Sequence, residues 1–144
     1  MLIVTRKINV ETNSPREEQS VAIVNLTPRI QQQMELSYIT NGNLTAFVPG
    51  TTASIATIEY EDGLLNDFRK MWSRVVPRDI VYKHQFMWEE NNGFSHIRAS
   101  LMGQSLVVPI NNKRMIIGQY QAIVLVEFDN RARKRDVVLQ FMGE

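Results

Sequence analysis

The sequence predicts an α+β fold: one domain over residues 1–144, with an antiparallel, β-sandwich-like core and two or three helices packed against it. Three observations lead to this prediction. Strand-like stretches outnumber helical ones, the final strands follow one another closely, which favours antiparallel pairing, and no repeat or linker divides the chain. With 144 residues, 44% of them hydrophobic and 22% charged, the chain can bury the core of one domain.

The strands of the first half are recognised by their β-branched residues. A polar loop that contains a proline separates the first two strands, and a bend at "PGTT" separates the next two. The predicted strands cover residues 2–10, 21–26, 44–48 and 55–60.

The first helix is predicted to start at "TPRI". The Thr27 hydroxyl can cap free backbone amides, and Pro28 at the first helical position costs no hydrogen bond. Ile30, Met34 and Tyr38 recur every four residues, which predicts one buried face.

A second helix is predicted between Asp62-Gly63 and Val76-Pro77, because the residue before a proline disfavours helical backbone. Its expected buried stripe contains Leu64, Leu65, Phe68, Met71 and Trp72.

The third predicted helix is "FSHIRASLMG". Here Ser95 is the expected cap, Ile97 and Leu101 the expected buried pair, and Gly103 the expected stop. Strands over residues 106–110, 115–128 and 137–142 complete the fold, with turns at "NNK" and "DNRARKR".

Composition excludes several classes of function. A net charge of +1 gives no general attraction to nucleic acid or to an anionic membrane. The absence of cysteine removes disulfides, thiolate metal sites and cysteine nucleophiles. No signal peptide is apparent, and no apolar run approaches the roughly 20 residues of a membrane helix. We therefore expect a cytoplasmic protein with neither nucleic acid nor membrane as a partner.

The two histidines of the chain, His84 and His96, are the first candidates for chemistry. Neutral imidazole is a good zinc ligand, and carboxylates such as that of Glu59 commonly complete such sites. The spacing matches no compact metal motif. The alternative is a surface His84 and a His96 that caps a helix.

Anion binding is the second candidate chemistry, and it has two possible locations. The start of the "SHIRASL" helix offers Ser95, backbone amides and the forked guanidinium of Arg98. The "PGTTAS" bend offers backbone amides and the hydroxyls of Thr52 and Ser54, without the lysine of a Walker loop. Ordinary helix capping and an ordinary bend are the alternatives.

Three further polar residues are candidates for substrate contacts. Arg133 and Arg135 belong to a basic cluster that can bind a diphosphate, or that can form a solvated hairpin tip. Gln121 follows a glycine within a strand and could line a pocket, the alternative being a strand with one wet face.

Three segments together resemble a known family: "TAFVPGTTASIATIEYEDG", "SHIRASLMGQSLVVPINNKRMIIGQYQAIVLVEFD" and "VVLQFMGE". They are similar to the YjbQ-like family, whose members are often described as secondary thiamine-phosphate synthases. The resemblance runs nearly from end to end. It implies a small α+β protein that forms homotrimers and that binds a divalent metal ion, zinc or magnesium.

The resemblance also implies site residues. His84 and His96 fall on family histidines and are expected to bind the metal, and Glu59 falls on a family glutamate. Two positions depart from the pattern, because Gly50 stands where many members have histidine and Gln85 where many have aspartate.

The implied reaction condenses a pyrimidine-methyl diphosphate with a thiazole phosphate and releases diphosphate. Such a reaction requires positioning and stabilisation of negative charge. Arg98 and Glu59 are the expected catalytic residues, and the metal is the expected cofactor. The substrate contacts are expected from Thr52, Ser54, Ser95, Gln121, Arg133 and Arg135. The alternative function is a non-catalytic trimer that holds a metal or a small anion.

Overall fold

A computed structural model describes residues 1–13, 21–88 and 90–144 of the chain. Its elements, in chain order, are β1 (Leu2–Thr12), β2 (Ala22–Asn25), α1 (Thr27–Ser37), β3 (Gly42–Phe47), β4 (Ala53–Glu59), α2 (Asp62–Val75), α3 (His84–Trp88), α4 (Gly93–Met102), β5 (Ser105–Asn111), β6 (Arg114–Met115), β7 (Gln121–Glu127) and β8 (Arg133–Gly143).

Two antiparallel sheets form the core. The larger has the order β1-β8-β3-β5-β6, and the smaller has the order β2-β7-β4. All of their strand pairs are antiparallel, from Leu2 opposite Gly143 in the larger sheet to Ala53 opposite Glu127 in the smaller one. The predicted α+β class with a sandwich-like antiparallel core is confirmed.

The space between the sheets and α1 is filled by alternate residues of the strands. Val137, Leu139 and Phe141 of β8 are completely buried and pack with Ile123 and Leu125 of β7. The period of two follows from strand geometry, since successive side chains point to opposite faces. This apolar layer holds the two sheets together.

A second core covers the other face of the smaller sheet. Helices α2 and α4 bring Trp72 and Phe94 to the β7 side chains Val124 and Val126, and Phe128 completes the cluster. The Trp72 and Phe128 rings meet edge to face, with centroids 5.2 Å apart. The smaller sheet is therefore buried on both faces, and β7 is its central strand.

The start of α1 differs from the expectation. The N-cap residue is Leu26, whose apolar side chain cannot cap the helix, and the Thr27 hydroxyl instead accepts a hydrogen bond from the amide of Ile123 at 2.9 Å. Ile30 and Met34 are buried as predicted, but Tyr38 is exposed. Tyr38 ends the helix in the left-handed conformation, which turns its side chain away from the helix face.

The helices of the middle region also differ in part. In α4 the predicted buried pair, Ile97 and Leu101, is 47% and 64% exposed, and the buried face contains Phe94, Arg98 and Ala99 instead. The short α3 was not predicted. With it the described residues contain four helices rather than two or three.

The predicted arrangement at "DNRARKR" is wrong. Strand β8 begins at Arg133, so Arg133 and Arg135 belong to a strand and not to a hairpin tip. The predicted strand 115–128 is interrupted, since β6 ends at Met115 and β7 begins at Gln121. Most of the polar loop predicted before the second strand lies outside the described residues. In the part of the chain that the structure describes, no helix has the length and apolarity needed to cross a membrane.

The core between the sheets gives the first testable prediction. Replacing the fully buried Phe141 with alanine should lower the free energy of unfolding by about 3–5 kcal/mol, because transfer energy is lost and a cavity remains. Urea unfolding measures this change. Phe86→Ala is the matched control: its ring is exposed, so we expect a change within about 0.5 kcal/mol. Equal effects of the two substitutions would contradict the described core.

Candidate functional site

The two histidines form a pair. His84 begins α3 and His96 lies in the first turns of α4, and their ring centroids are 4.4 Å apart with the planes inclined by 55°. Gly93 permits this approach, because a Cβ there would lie 2.5 Å from the Cβ of Tyr82 and 3.4 Å from that of His84. The segment before α3 can therefore lie directly on the start of α4.

The electrostatic surroundings favour neutral imidazole at His96. Burial lowers the pKa of His96, and the neighbouring His84 lowers it further, whereas Asp129 and Glu90 act in the opposite direction. At His84 the Nε2 atom is buried and has no hydrogen-bond partner among the described residues. A neutral imidazole with an unused nitrogen is the form that binds a metal ion.

An ion pair at the end of β7 lies in this region of the protein. Both oxygens of the buried Glu127 accept hydrogen bonds from Arg135, at 2.7 Å from Nε and 2.6 Å from Nη2. Thr12 donates to the same carboxylate at 2.9 Å. A buried charge pair with this two-point geometry is costly to disrupt, since removing one partner leaves a charge without compensation.

A second ion pair lies next to the first. The buried Asp129 accepts a hydrogen bond from Nε of Arg133 at 2.7 Å and from the Asn92 amide at 3.2 Å. Burial alone would raise the pKa of Asp129, but these donors and the backbone amide of Asn130 together lower it. Thr52 connects the two pairs, because it donates to Asp129 at 3.1 Å and accepts from Arg135 at 2.6 Å.

Each of the two ion pairs is electrically neutral. Glu127 and Asp129 neutralise Arg135 and Arg133, so the network offers no net positive charge to an anion. Arg135 uses Nε and Nη2 for its contacts with Glu127 and Thr52, and its Nη1 lies against Gly50. A Cβ at Gly50, where φ is +150°, would lie 2.9 Å from that nitrogen, so a side chain here would displace the guanidinium.

The predicted anion ligands of the "PGTTAS" bend and the α4 start are buried. Ser54 donates to the carbonyl of Ala99 at 3.3 Å, and Ser95 donates to the carbonyl of Asn92 at 2.6 Å. Asn92, and not Ser95, is the N-cap residue of α4. Both hydroxyls thus donate to backbone carbonyls. Of the predicted anion ligands Thr52, Ser54 and Ser95, Thr52 is the one that belongs to the ion-pair network.

Arg98 is fully buried between α2 and α4. Its Nε and Nη2 donate to the carbonyl of Val76 at 3.0 and 2.7 Å, at the C-terminal end of α2. The guanidinium also lies 5.0 Å from the ring centroid of Phe94. A cation at a helix C-terminus satisfies carbonyls that have no partner within the helix. These contacts stabilise the packing of α2 on α4.

Glu59 and Gln121 lie away from the histidines. They face each other across β4 and β7, at the end of the smaller sheet opposite to Ala53 and Glu127. Both line a depression of about 410 Å³ that also contains Tyr60 and Tyr120. Within one chain, the structure therefore brings together His84, His96, Thr52, Arg133 and Arg135, and it places Glu59 and Gln121 elsewhere.

Sequence reasoning missed three residues of the site, namely Glu127, Asp129 and Asn92. A signal for two of them is present, because the acidic residues of "VLVEFDN" follow a run of apolar strand residues and would be buried with it. Asn92 carries no such signal, since its role depends on the position of α4. Among residues 1–13, 21–88 and 90–144, no third His, Cys, Asp or Glu joins the histidines in a metal-binding cluster.

The fold and the site define a small α+β protein with paired histidines near a buried ion-pair network. The family model described as "UPF0047 protein YjbQ-like" matches residues 7–144. The chain belongs to this family.

Relatives and solved structures agree with this membership. A UPF0047 protein of Methanothermobacter thermautotrophicus is 35% identical over 120 residues, which cover 83% of this chain and 82% of that protein. One from Archaeoglobus fulgidus is 30% identical over 118 residues, covering 82% and 90%.

The chain is also similar to the crystal structure of a YbjQ-like protein of unknown function from Sulfolobus solfataricus. The TM-score is 0.87 at 25% identity, and the match covers 99% of this chain and 100% of that one. A hypothetical protein from Aeropyrum pernix has the same TM-score at 27% identity, with coverage of 98% and 99%.

The ion-pair network gives the second prediction. Replacing Arg135 with methionine should lower the free energy of unfolding by about 3–5 kcal/mol, because the buried Glu127 loses its charge partner. Lys134→Met is the control in the same strand, since Lys134 is exposed and lies 3.9 Å from an exposed Glu11. Urea unfolding compares the two variants. A similar small loss in both would show that the pair is not buried in solution.

The third prediction concerns pH. Because the pKa of His96 is lowered in the folded state, its contribution to stability is complete above the ordinary value of 6.5 and is lost as the pH falls below it. The unfolded chain takes up the proton first. Between about pH 7.5 and about pH 5.5 the urea midpoint should fall less in His96→Asn than in the wild type. An equal fall of the urea midpoint in the two proteins would contradict a lowered pKa of His96 in the folded state.

Proposed function

We propose that this protein is an enzyme that acts on a phosphorylated small molecule, with a divalent metal ion held by His84 and His96. The observation that carries the proposal is the histidine pair itself. Two imidazoles lie 4.4 Å apart, and the Nε2 atom of His84 is buried with no partner among the described residues. A buried polar atom without a partner is costly, and a metal ion would satisfy it.

The donor set fits zinc better than magnesium. Imidazole nitrogen is a usual ligand of zinc, whereas magnesium prefers carboxylate, phosphate and water oxygens. The lowered pKa of His96 keeps the ring neutral at physiological pH, as metal binding requires. When bound, the ion would supply positive charge to a phosphate or diphosphate oxygen.

The protein's own charges support a phosphorylated ligand only together with that ion. Arg133 and Arg135 are neutralised by Asp129 and Glu127, so they alone do not attract a phosphate. They still offer directed donors. Nη1 of Arg135, beside Gly50, would donate to a phosphate oxygen while Glu127 and Thr52 hold the guanidinium in place. This arrangement orients a ligand without further reorganisation.

The family resemblance supplies the specific reaction. A bond forms between the thiazole nitrogen of one substrate and the methylene carbon of the pyrimidine-methyl diphosphate. The bond between that carbon and the diphosphate oxygen breaks, and diphosphate leaves with the electron pair. The residues around Arg135 would bind the leaving group. Because Arg98 is buried against α2, we propose a structural role for it in place of a catalytic one.

The fourth prediction tests this function. Purified protein loaded with zinc should release diphosphate from the two phosphorylated substrates. Expression of the protein should restore growth of a strain that requires thiamine. His84→Ala and His96→Ala should lower the rate at least about tenfold, since each removes one proposed ligand.

Phe86→Ala, an exposed position close to His84, is the folded control for these variants. Zinc binding without product formation would contradict the enzyme and leave the non-catalytic metal-binding protein. Absence of both zinc binding and product would contradict the proposal as a whole.

A further inference from the structure

We infer that the depression at the end of the smaller sheet that carries Glu59 binds a small organic cation, such as a quaternary ammonium ion. Tyr60 and Tyr120 provide aromatic faces for the cation, and Glu59 provides the negative charge. The function proposed for the histidines uses none of these three side chains. The depression lies at the far end of β4 from Ala53, which follows the Thr52 of the ion-pair network.

The strand register brings two tyrosines to this depression. Glu59, the last residue of β4, pairs with Gln121, the first residue of β7. Tyr60 therefore directly follows one strand, and Tyr120 directly precedes its neighbour. Both tyrosines line the depression, and they are 45% and 69% exposed, respectively. Their ring surfaces are accessible to a ligand.

Both tyrosines are held by hydrogen bonds of the fold. The Tyr60 hydroxyl donates to the backbone carbonyl of Ile23 at 2.8 Å. The loop that carries Tyr120 is closed in both directions, because Gln121 accepts from the Gly118 amide at 2.9 Å and its own amide donates to the Gly118 carbonyl at 3.1 Å. Groups that are already ordered lose little freedom when a ligand binds.

The carboxylates of the depression have no basic side chain beside them. Glu59 and Glu61 line it, and the described residues that surround it include no lysine, arginine or histidine. The backbone amides of Leu64 and Gly63 bind the two oxygens of Glu61 and lower its pKa, so this group is ionised at neutral pH. Glu59 belongs to none of the ion pairs between described residues, and its charge is available to a ligand.

An organic cation fits these groups better than a metal ion does. Calcium and magnesium require about six or more oxygen ligands, whereas both oxygens of Glu61 are already bound to backbone amides. Within the described ranges, no group of three His, Cys, Asp or Glu side chains could hold a metal ion. Aromatic rings attract an ammonium group through their negative faces, and sets of such rings recognise quaternary ammonium ligands.

The size of the depression is that of a small-molecule site. Its volume of about 410 Å³ lies within the range of roughly 300–1,000 Å³ that is usual for such sites. The lining residue Gln119 adds an amide that can bind a polar part of the ligand. Charge, aromatic surface and size therefore all favour a small organic cation.

Choline is the probe that tests this site, and its uncharged analogue, in which carbon replaces the quaternary nitrogen, is the matched control ligand. Each is titrated into the isotope-labelled full chain at constant ionic strength, and NMR follows the amide signals of Tyr120 and Ala122. Choline should bind at least about fivefold more tightly than the analogue, because the rings and Glu59 act on the charge. Equal affinities, or no choline-dependent change of these signals, would overturn the inference.

Substitutions locate the binding. Tyr120→Leu keeps an apolar side chain but removes the aromatic face, and Glu59→Gln removes the charge, so each should weaken choline binding about two- to fivefold. Tyr120→Phe keeps the ring and should bind choline as the wild type does. A loss in Tyr120→Phe as large as that in Tyr120→Leu would contradict binding through the aromatic face.

Tyr38→Leu is the control at a distance. Tyr38 is 79% exposed and ends α1, whereas Thr27 and Pro28 at the start of this helix line the depression. All of the substituted side chains are exposed, so folding should be retained, and circular dichroism checks it. Choline affinity should be unchanged in Tyr38→Leu. Equal weakening by Tyr38→Leu and Tyr120→Leu would place the binding outside the depression and overturn the inference.

Discussion

The burial of β7 on both faces is the constraint on which the rest of the structure depends. Its side chains alternate between the core shared with the larger sheet and the core covered by α2 and α4. The strand ends at Glu127, and the chain continues through Phe128 to Asp129 before it reaches solvent. Two carboxylates are thereby carried into the interior. Their ionised state is possible there only because arginine side chains meet them, since an isolated buried charge is prohibitively costly.

The ion pairs explain how a strand end becomes a site. Arg135 lies on the same face of β8 as Val137 and Leu139, since the three are spaced two residues apart. Its side chain therefore points inward, towards the end of β7. Asp129 in turn holds Asn92, the residue at which α4 begins, and α4 carries His96. Arg98 fixes the other partner of α4 by binding the last carbonyls of α2. The position of the histidines thus depends on ion pairs and helix-end contacts that lie outside the histidine pair itself.

Much of the fold could be predicted from local patterns, and the reasons for the failures are physical. Alternation and β-branched residues located the strands, because side-chain direction follows from backbone geometry. The same alternation places Arg135 in line with Val137, but the basic run "RARKR" outweighed it and suggested a solvated turn. The pairing of His84 with His96 depends on the close contact permitted by Gly93, which no spacing rule contains. The resemblance implies a role for Glu59 in the site, but in the structure Glu59 lies at the end of the smaller sheet opposite to Glu127.

The order of the strands has a consequence for the synthesis of the protein. Both β2 and β4 pair only with β7, and β1 pairs only with β8 among the described strands. The central strand of the smaller sheet and the strand that joins β1 to β3 are therefore the last two of the described strands. Until they leave the ribosome, the earlier strands carry apolar faces without partners, apart from the pairing of β5 with β3 and with β6. Such long-range pairing slows folding and prolongs the exposure of aggregation-prone strand edges.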